Sequence, residues 1–137
     1  MMRGMRMLFA AMLLALTFGS SFAGEASTAA PAATGRIEDK TRICMMQDSL
    51  QPKPGLAHEY QGKTYWLCCQ MCVQAFEGDP EKYAFAKDPV NGSRVDKATA
   101  PAYAVGGRAF YFSSEDTLKT FAKNPERWAD DPRVTND

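Results

Sequence analysis

The chain has 137 residues, and its 16 Lys and Arg balance 16 Asp and Glu. That length allows one domain or two very small ones, and excludes a large multidomain enzyme with a deep cleft of its own. A formal charge of zero excludes the basic surface of a general nucleic-acid binder, and 45% hydrophobic residues exclude a disordered chain.

The N-terminus is patterned for export. Arg3 and Arg6 precede an apolar run of 12, Met7 to Phe18, and Ser21-Phe22-Ala23 places small residues where a signal peptidase reads them. A membrane span needs roughly 20 apolar residues. The expectation is a signal peptide over 1–23 with cleavage after Ala23, a periplasmic or secreted product, and no stable membrane insertion afterwards. Cleavage removes two basic residues and no acid, so the mature chain carries a formal charge of −2. Residues 24–40 are small, polar and Pro-containing. They lack apolar periodicity and read as a flexible linker.

The remainder is one unit written twice. Tyr60–Tyr83 aligns with Val105–Trp128 without a gap, at an offset of 45. Gly62 meets Gly107, Phe76 meets Phe121, and Pro80-Glu81 meets Pro125-Glu126. Such an offset indicates a repeated supersecondary unit. Each copy predicts a turn at Gln61-Gly62 or Gly106-Gly107, then an aromatic-rich strand, Lys63–Leu67 or Arg108–Phe112. A helix follows, roughly Cys69–Glu77 or Ser114–Lys123. In the second copy Ser113 or Ser114 serves as N-cap, with Glu115 and Asp116 in the first turn. Asp79-Pro80 and Asn124-Pro125 each start a further helical turn. A unit this small needs a staple, a metal or a neighbour.

All four cysteines sit in the first copy: Cys44, Cys68, Cys69 and Cys72. Cys68 ends a strand, and Cys72 lies four residues on, in the first turn of the helix. There the helix dipole is expected to favour thiolates. Three convergent thiolates, Cys44, Cys68 and Cys72, suit a soft or borderline ion such as Cu(I) or Zn²⁺. Met45, Met46 and Met71 place thioethers nearby, which tilts the choice toward Cu(I); as core fillers they need no metal. The second copy has Ser113, Ser114 and Thr117 in place of Cys68, Cys69 and Cys72, and Asn91 in place of Cys44. The scaffold is kept without its thiols, so the first copy carries the chemistry.

The run from Tyr65 to Cys72, with Phe76 and Asp79-Pro80-Glu81-Lys82-Tyr83, resembles the TRASH domain of bacterial metal-handling proteins. The second copy, from Asp88-Pro89-Val90-Asn91-Gly92 to Trp128, resembles the related YHS domain. The resemblance implies an α+β fold of two ββα units in tandem, treble-clef or zinc-finger-like, over 41–87 and 88–137. It implies heavy-metal sensing, trafficking or resistance, often for copper, with Cys44, Cys68 and Cys72 as ligands. A metal transporter or sensor is the implied partner. Cys69 falls where the family often has Cys or Ser and ranks below those three. The interval from Cys44 to Cys68 is slightly longer than the family's.

Two other readings of the cysteines stand beside metal binding. An exported chain with an even cysteine count is also compatible with structural disulfides. Cys69-Gln70-Met71-Cys72 has the spacing of a redox dithiol but lacks a thioredoxin-like βαβ context. His58, the sole histidine, is a tempting further ligand. A two-residue turn at Gln61-Gly62 sets it opposite Tyr65, about 10 Å along the strand from Cys68. No catalytic triad, phosphate-cradling glycine loop or supported carboxylate pair is present, so no enzyme activity is expected.

Overall fold

The structure, a computed structural model, describes residues 33–131. The expected signal peptide, the linker up to residue 32 and residues 132–137 lie outside the described residues. The fold is a mixed α/β arrangement of small sheets and short helices.

The chain begins with β1 (Gly35–Ile37), a 3-10 turn (Lys40–Arg42), β2 (Ile43–Cys44) and β3 (Ser49–Leu50). Next come the hairpin β4 (Leu56–Tyr60) and β5 (Lys63–Leu67), then helices α1 (Gln70–Gly78) and α2 (Pro80–Tyr83). The second half repeats the order. A small hairpin, β6 (Phe85–Lys87) and β7 (Arg94–Asp96), is followed by a longer one, β8 (Ala102–Val105) and β9 (Arg108–Tyr111). Helices α3 (Glu115–Ala122) and α4 (Pro125–Ala129) close it. No helix among the described residues is long and apolar enough to cross a membrane.

Local sequence accounts for the repeat. Gln61 and Gly62 have φ of 50° and 73°, and Gly106 and Gly107 have 56° and 84°. Positive φ at both central residues defines a type I′ turn, whose twist matches that of a tight hairpin. The turn fixes the register, and His58 pairs with Tyr65 as the spacing predicts. Ser114 caps α3 by accepting from the Thr117 N–H at 3.2 Å. Asp79 caps α2 by accepting from the Lys82 N–H at 3.2 Å. Asn124, expected to do the same for α4, makes no side-chain capping bond.

One phenylalanine centres each half. Phe76 meets Tyr65 at a ring separation of 5.0 Å and 41°, and meets His58 at 5.3 Å and 67°. At the offset positions Phe121 meets Phe110 at 5.1 Å and 42°, and Tyr103 at 5.7 Å and 66°. Matching positions thus make matching contacts, each worth about 0.5–1.5 kcal/mol beyond area burial.

The halves are not beads on a string. Five strands form one sheet in the order β1-β8-β9-β3-β2, so first-half strands flank the second-half hairpin on both sides. Successive residues of β9 point to opposite faces, and both faces are covered. Ala109 and Tyr111 join the cluster around Cys44, Cys72 and Phe76, while Phe110 joins that around Phe121. The interval 35–40, expected as linker, is instead ordered structure. Gly35–Ile37 pairs antiparallel with Ala102–Ala104, and Ile37 packs on the core. Lys40 Nζ donates to the main-chain oxygens of Lys97, Ala98 and Ala100.

Candidate metal centre

Four devices bring the thiols together. Cys68 follows β5 directly, and Cys72 sits one turn into α1, so an i, i+4 spacing sets them side by side. Cys44 ends β2, and the next residue anchors it, since the Met45 N–H donates to the Trp66 carbonyl at 2.8 Å. Lys97 of the second half fixes the same loop from behind. Its ammonium, only 3% exposed, donates to the Met45 carbonyl at 2.8 Å and to Asp48 Oδ1 at 2.7 Å. Gly55 clears the remaining space, because a Cβ there would lie 2.5 Å from the Leu67 carbonyl oxygen.

The Sγ atoms of Cys44, Cys68 and Cys72 all lie within 4.8 Å of one another and could hold a metal ion. Cys68 is 3.3 Å from Cys72, and Cys44 is 3.9 Å from Cys72. All four cysteines are free thiols. With metal–sulfur bonds of about 2.3 Å, three thiolates around one ion stand roughly 3.8–4.0 Å apart. The Cys44–Cys72 edge already has that size and the Cys68–Cys72 edge is shorter, and the soft donor set fits Cu(I) or Zn²⁺.

Burial decides the electrostatics. Cys44 and Cys72 are buried and Cys68 is half-buried. Burial, with the Cys44 and Cys72 thiols beside it, pushes the Cys68 thiol far up. Burial pushes Cys72 up to about 11. The thiolate-favouring effect expected of the helix start is therefore overturned at these two positions, where desolvation outweighs the dipole. It survives at exposed Cys69, whose pKa the Cys72 backbone N–H draws down. An incoming ion must displace protons from Cys68 and Cys72.

The secondary candidates part ways. Cys69 stands at the N-cap of α1, exposed, with its Sγ 3.5 Å from Cys72 and 3.9 Å from Cys68. Met45 is fully buried in the core cluster. His58 is not brought to the thiols. Its ring packs edge-on against Phe76, with Nδ1 4.0 Å from Glu77. The metal-compatible group found among the described residues contains cysteines alone.

The second half fills the equivalent space with hydrogen bonds. Asn91 Nδ2 donates to Ser113 Oγ at 3.0 Å, joining the residues that replace Cys44 and Cys68. Asp88, 1% exposed, accepts from the Ser113 N–H and hydroxyl, the Thr117 hydroxyl and the Val90 N–H. Burial alone would raise its pKa, yet these donors hold it below the ordinary carboxylate range. Sequence reasoning missed Asp88 because it lies three residues before the position aligned with a cysteine. The Asp-Pro pair, a common turn opener, was the available signal. Lys97 was missed because nothing local marks a lysine for burial.

Three of the four cysteines thus lie on one hairpin-helix segment, and that segment matches a known family. Residues 55–87 match the YHS domain. The YHS domain therefore falls on the cysteine-bearing half, expected as TRASH, and not on 88–137, where the sequence placed it. It includes Cys68, Cys69 and Cys72, whereas Cys44 reaches the thiols from outside it. Neither a curated protein nor a solved structure matches the chain.

Proposed function

We propose that this protein binds a soft metal ion, Cu(I) ahead of Zn²⁺, through Cys44, Cys68 and Cys72, and buffers it or passes it to a transporter or sensor. The observation that carries this reading is the convergence of three free thiols, two of them buried, within 4.8 Å. Heavy-metal handling is what the TRASH and YHS resemblance implies. The role is binding rather than catalysis, on two treble-clef-like units, in a chain exported by the N-terminal segment. A site with three protein ligands leaves a position for a ligand from a partner, which suits ion transfer better than a closed structural site.

The test is metal and free-thiol content of the purified protein, followed by competition against a chromophoric Cu(I) chelator. About one equivalent of bound ion is expected, and Cys68→Ser or Cys72→Ser should each weaken binding by at least about 100-fold. Unchanged affinity in both variants would sink this site. Slowly exchanging zinc, with unfolding on its removal, would favour a stapled interaction module instead.

A further inference from the structure

We propose that Cys68 and Cys72 belong to two overlapping three-thiol sites, an inner one closed by Cys44 and an outer one closed by Cys69. A soft ion moves between them by exchanging Cys69 for Cys44. This inference rests on the metal-binding reading above and adds a route to it.

The outer triangle is built as well as the inner one. Its edges are 3.3 Å for Cys68–Cys72, 3.5 Å for Cys69–Cys72 and 3.9 Å for Cys68–Cys69. Three thiolates around one ion stand roughly 3.8–4.0 Å apart, so the outer triangle is near that size, as is the Cys44–Cys72 edge of the inner one. Cys69 contacts the Cys68 and Cys72 sulfurs, and Cys44 contacts that of Cys72. The Cys68–Cys72 edge is thus shared by two triangles, one reaching in to Cys44 and one reaching out to Cys69. Exposure orders them: Cys69 is exposed, Cys68 is half-buried, and Cys44 is buried.

The fold does not ask for a thiol at position 69. Cys69 has φ −158° and ψ 169°, and its sulfur, though near the Cys72 N–H, makes no capping hydrogen bond of good geometry, while Ser114, its counterpart, has φ −156° and ψ 164° and caps α3 through its hydroxyl. Serine is the better N-cap by about 1 kcal/mol. A sulfur thus stands where a hydroxyl would hold the helix better, within 4 Å of two candidate ligands. Met71, 78% exposed, adds a thioether to the same first turn.

In the exchange the ion keeps its oxidation state. One bond forms to the Cys44 sulfur, which releases its proton to water. The bond to Cys69 breaks, and that thiolate takes a proton up. Arrival runs from Cys69 inward, and release runs outward.

The experiment measures Cu(I) equilibrium affinity and, by stopped flow, the rate of Cu(I) transfer to an excess of a chromophoric chelator, for wild type and Cys69→Ser. The variant should keep its affinity within about threefold and transfer at least about tenfold more slowly. Its melting temperature should stay level or rise, which separates the effect from unfolding. Transfer at the wild-type rate would overturn the outer site while leaving the inner one standing. A loss of affinity beyond about tenfold would also overturn it, by making Cys69 an equilibrium ligand of a single site. Failure of the wild type to bind Cu(I) would remove both the route and the reading beneath it.

Discussion

The Asp88 carboxylate accepts a 2.6 Å hydrogen bond from the Thr117 hydroxyl, at the position where the first half places Cys72. Asp88 is therefore the second half's answer to the thiol cluster. Asp88→Ala would leave part-buried donors on Ser113, Thr117 and Val90 without their acceptor, at a cost of about 2 kcal/mol. Urea unfolding should show that loss, whereas Asn91→Ala, which removes two exposed bonds, one to Ser113 Oγ and one from the Ser93 N–H, should cost about 1 kcal/mol. Equal losses would mean that the carboxylate is not the staple.

Acid should act through the same group and through Asp96. Asp96 accepts from Lys63 Nζ at 2.6 Å, the Tyr65 hydroxyl at 2.9 Å and the Ala98 N–H at 2.9 Å. Burial would raise its pKa, but these donors hold it down. A carboxylate lowered on folding contributes its full stability above the unfolded value of about 3.9, and loses it as pH falls through the folded value. Stability should therefore hold to about pH 4 and drop below it. Asp88→Asn should make that drop shallower in a circular-dichroism acid titration; an identical profile would exclude Asp88 as a source.

Alkali should act in the opposite sense on the metal-free protein. The Cys68 and Cys72 thiols are raised by burial. Their contribution is complete below the unfolded thiol value of about 8.5 and is lost as pH rises through the folded values. Metal-bound protein, whose ligands have already shed their protons, should not show that loss. Metal affinity should rise with pH in the neutral range, by up to about tenfold per unit for each proton displaced. A pH-independent affinity between pH 6 and about 8 would contradict thiol ligation.

Lys97 ties stability to the site. Lys97→Met removes a buried cation that touches both the Met45 carbonyl and Asp48. Breaking a buried pair from one side costs about 3–5 kcal/mol. Because the same ammonium holds the loop after Cys44, metal affinity should also fall, by about 10–100-fold. Competition titration under conditions where the variant remains folded separates the two effects, and wild-type affinity would show that the loop holds itself.

Gly55→Ala tests the packing behind Cys68. The new Cβ would meet the Leu67 carbonyl oxygen at 2.5 Å, and that contact is backbone, so β5 must shift at its end. Overpacking of this kind costs about 1–3 kcal/mol. Thermal melts should show it, together with weaker metal binding from a displaced Cys68.

Much of this was legible in the sequence, and physics explains which parts. Turn chemistry is local, so Gln61-Gly62 fixed the pairing of His58 with Tyr65 and kept that ring from the thiols. The helix starts were equally local, through Ser114 and the two proline positions. The i, i+4 spacing brought Cys68 to Cys72. What escaped was non-local. β1 is three residues long and draws its partner from β8, more than sixty residues away. The pairing of Ser49 with Arg108 joins the halves in a way that no periodicity reports. Thiol protonation escaped too, because the dipole is read from sequence while desolvation depends on what packs around Cys72.

The position of β3, hydrogen-bonded to β2 on one side and to β9 on the other, makes the thiol-bearing half a poor cassette. Cutting out residues 41–87 and grafting them elsewhere would transplant all four cysteines. It would leave behind the strand that β3 leans on and the lysine that steadies the Cys44 loop. The half without thiols is thus the mould in which the other half keeps its shape, and an engineered sensor or scavenger built on this chain should be made from both halves together.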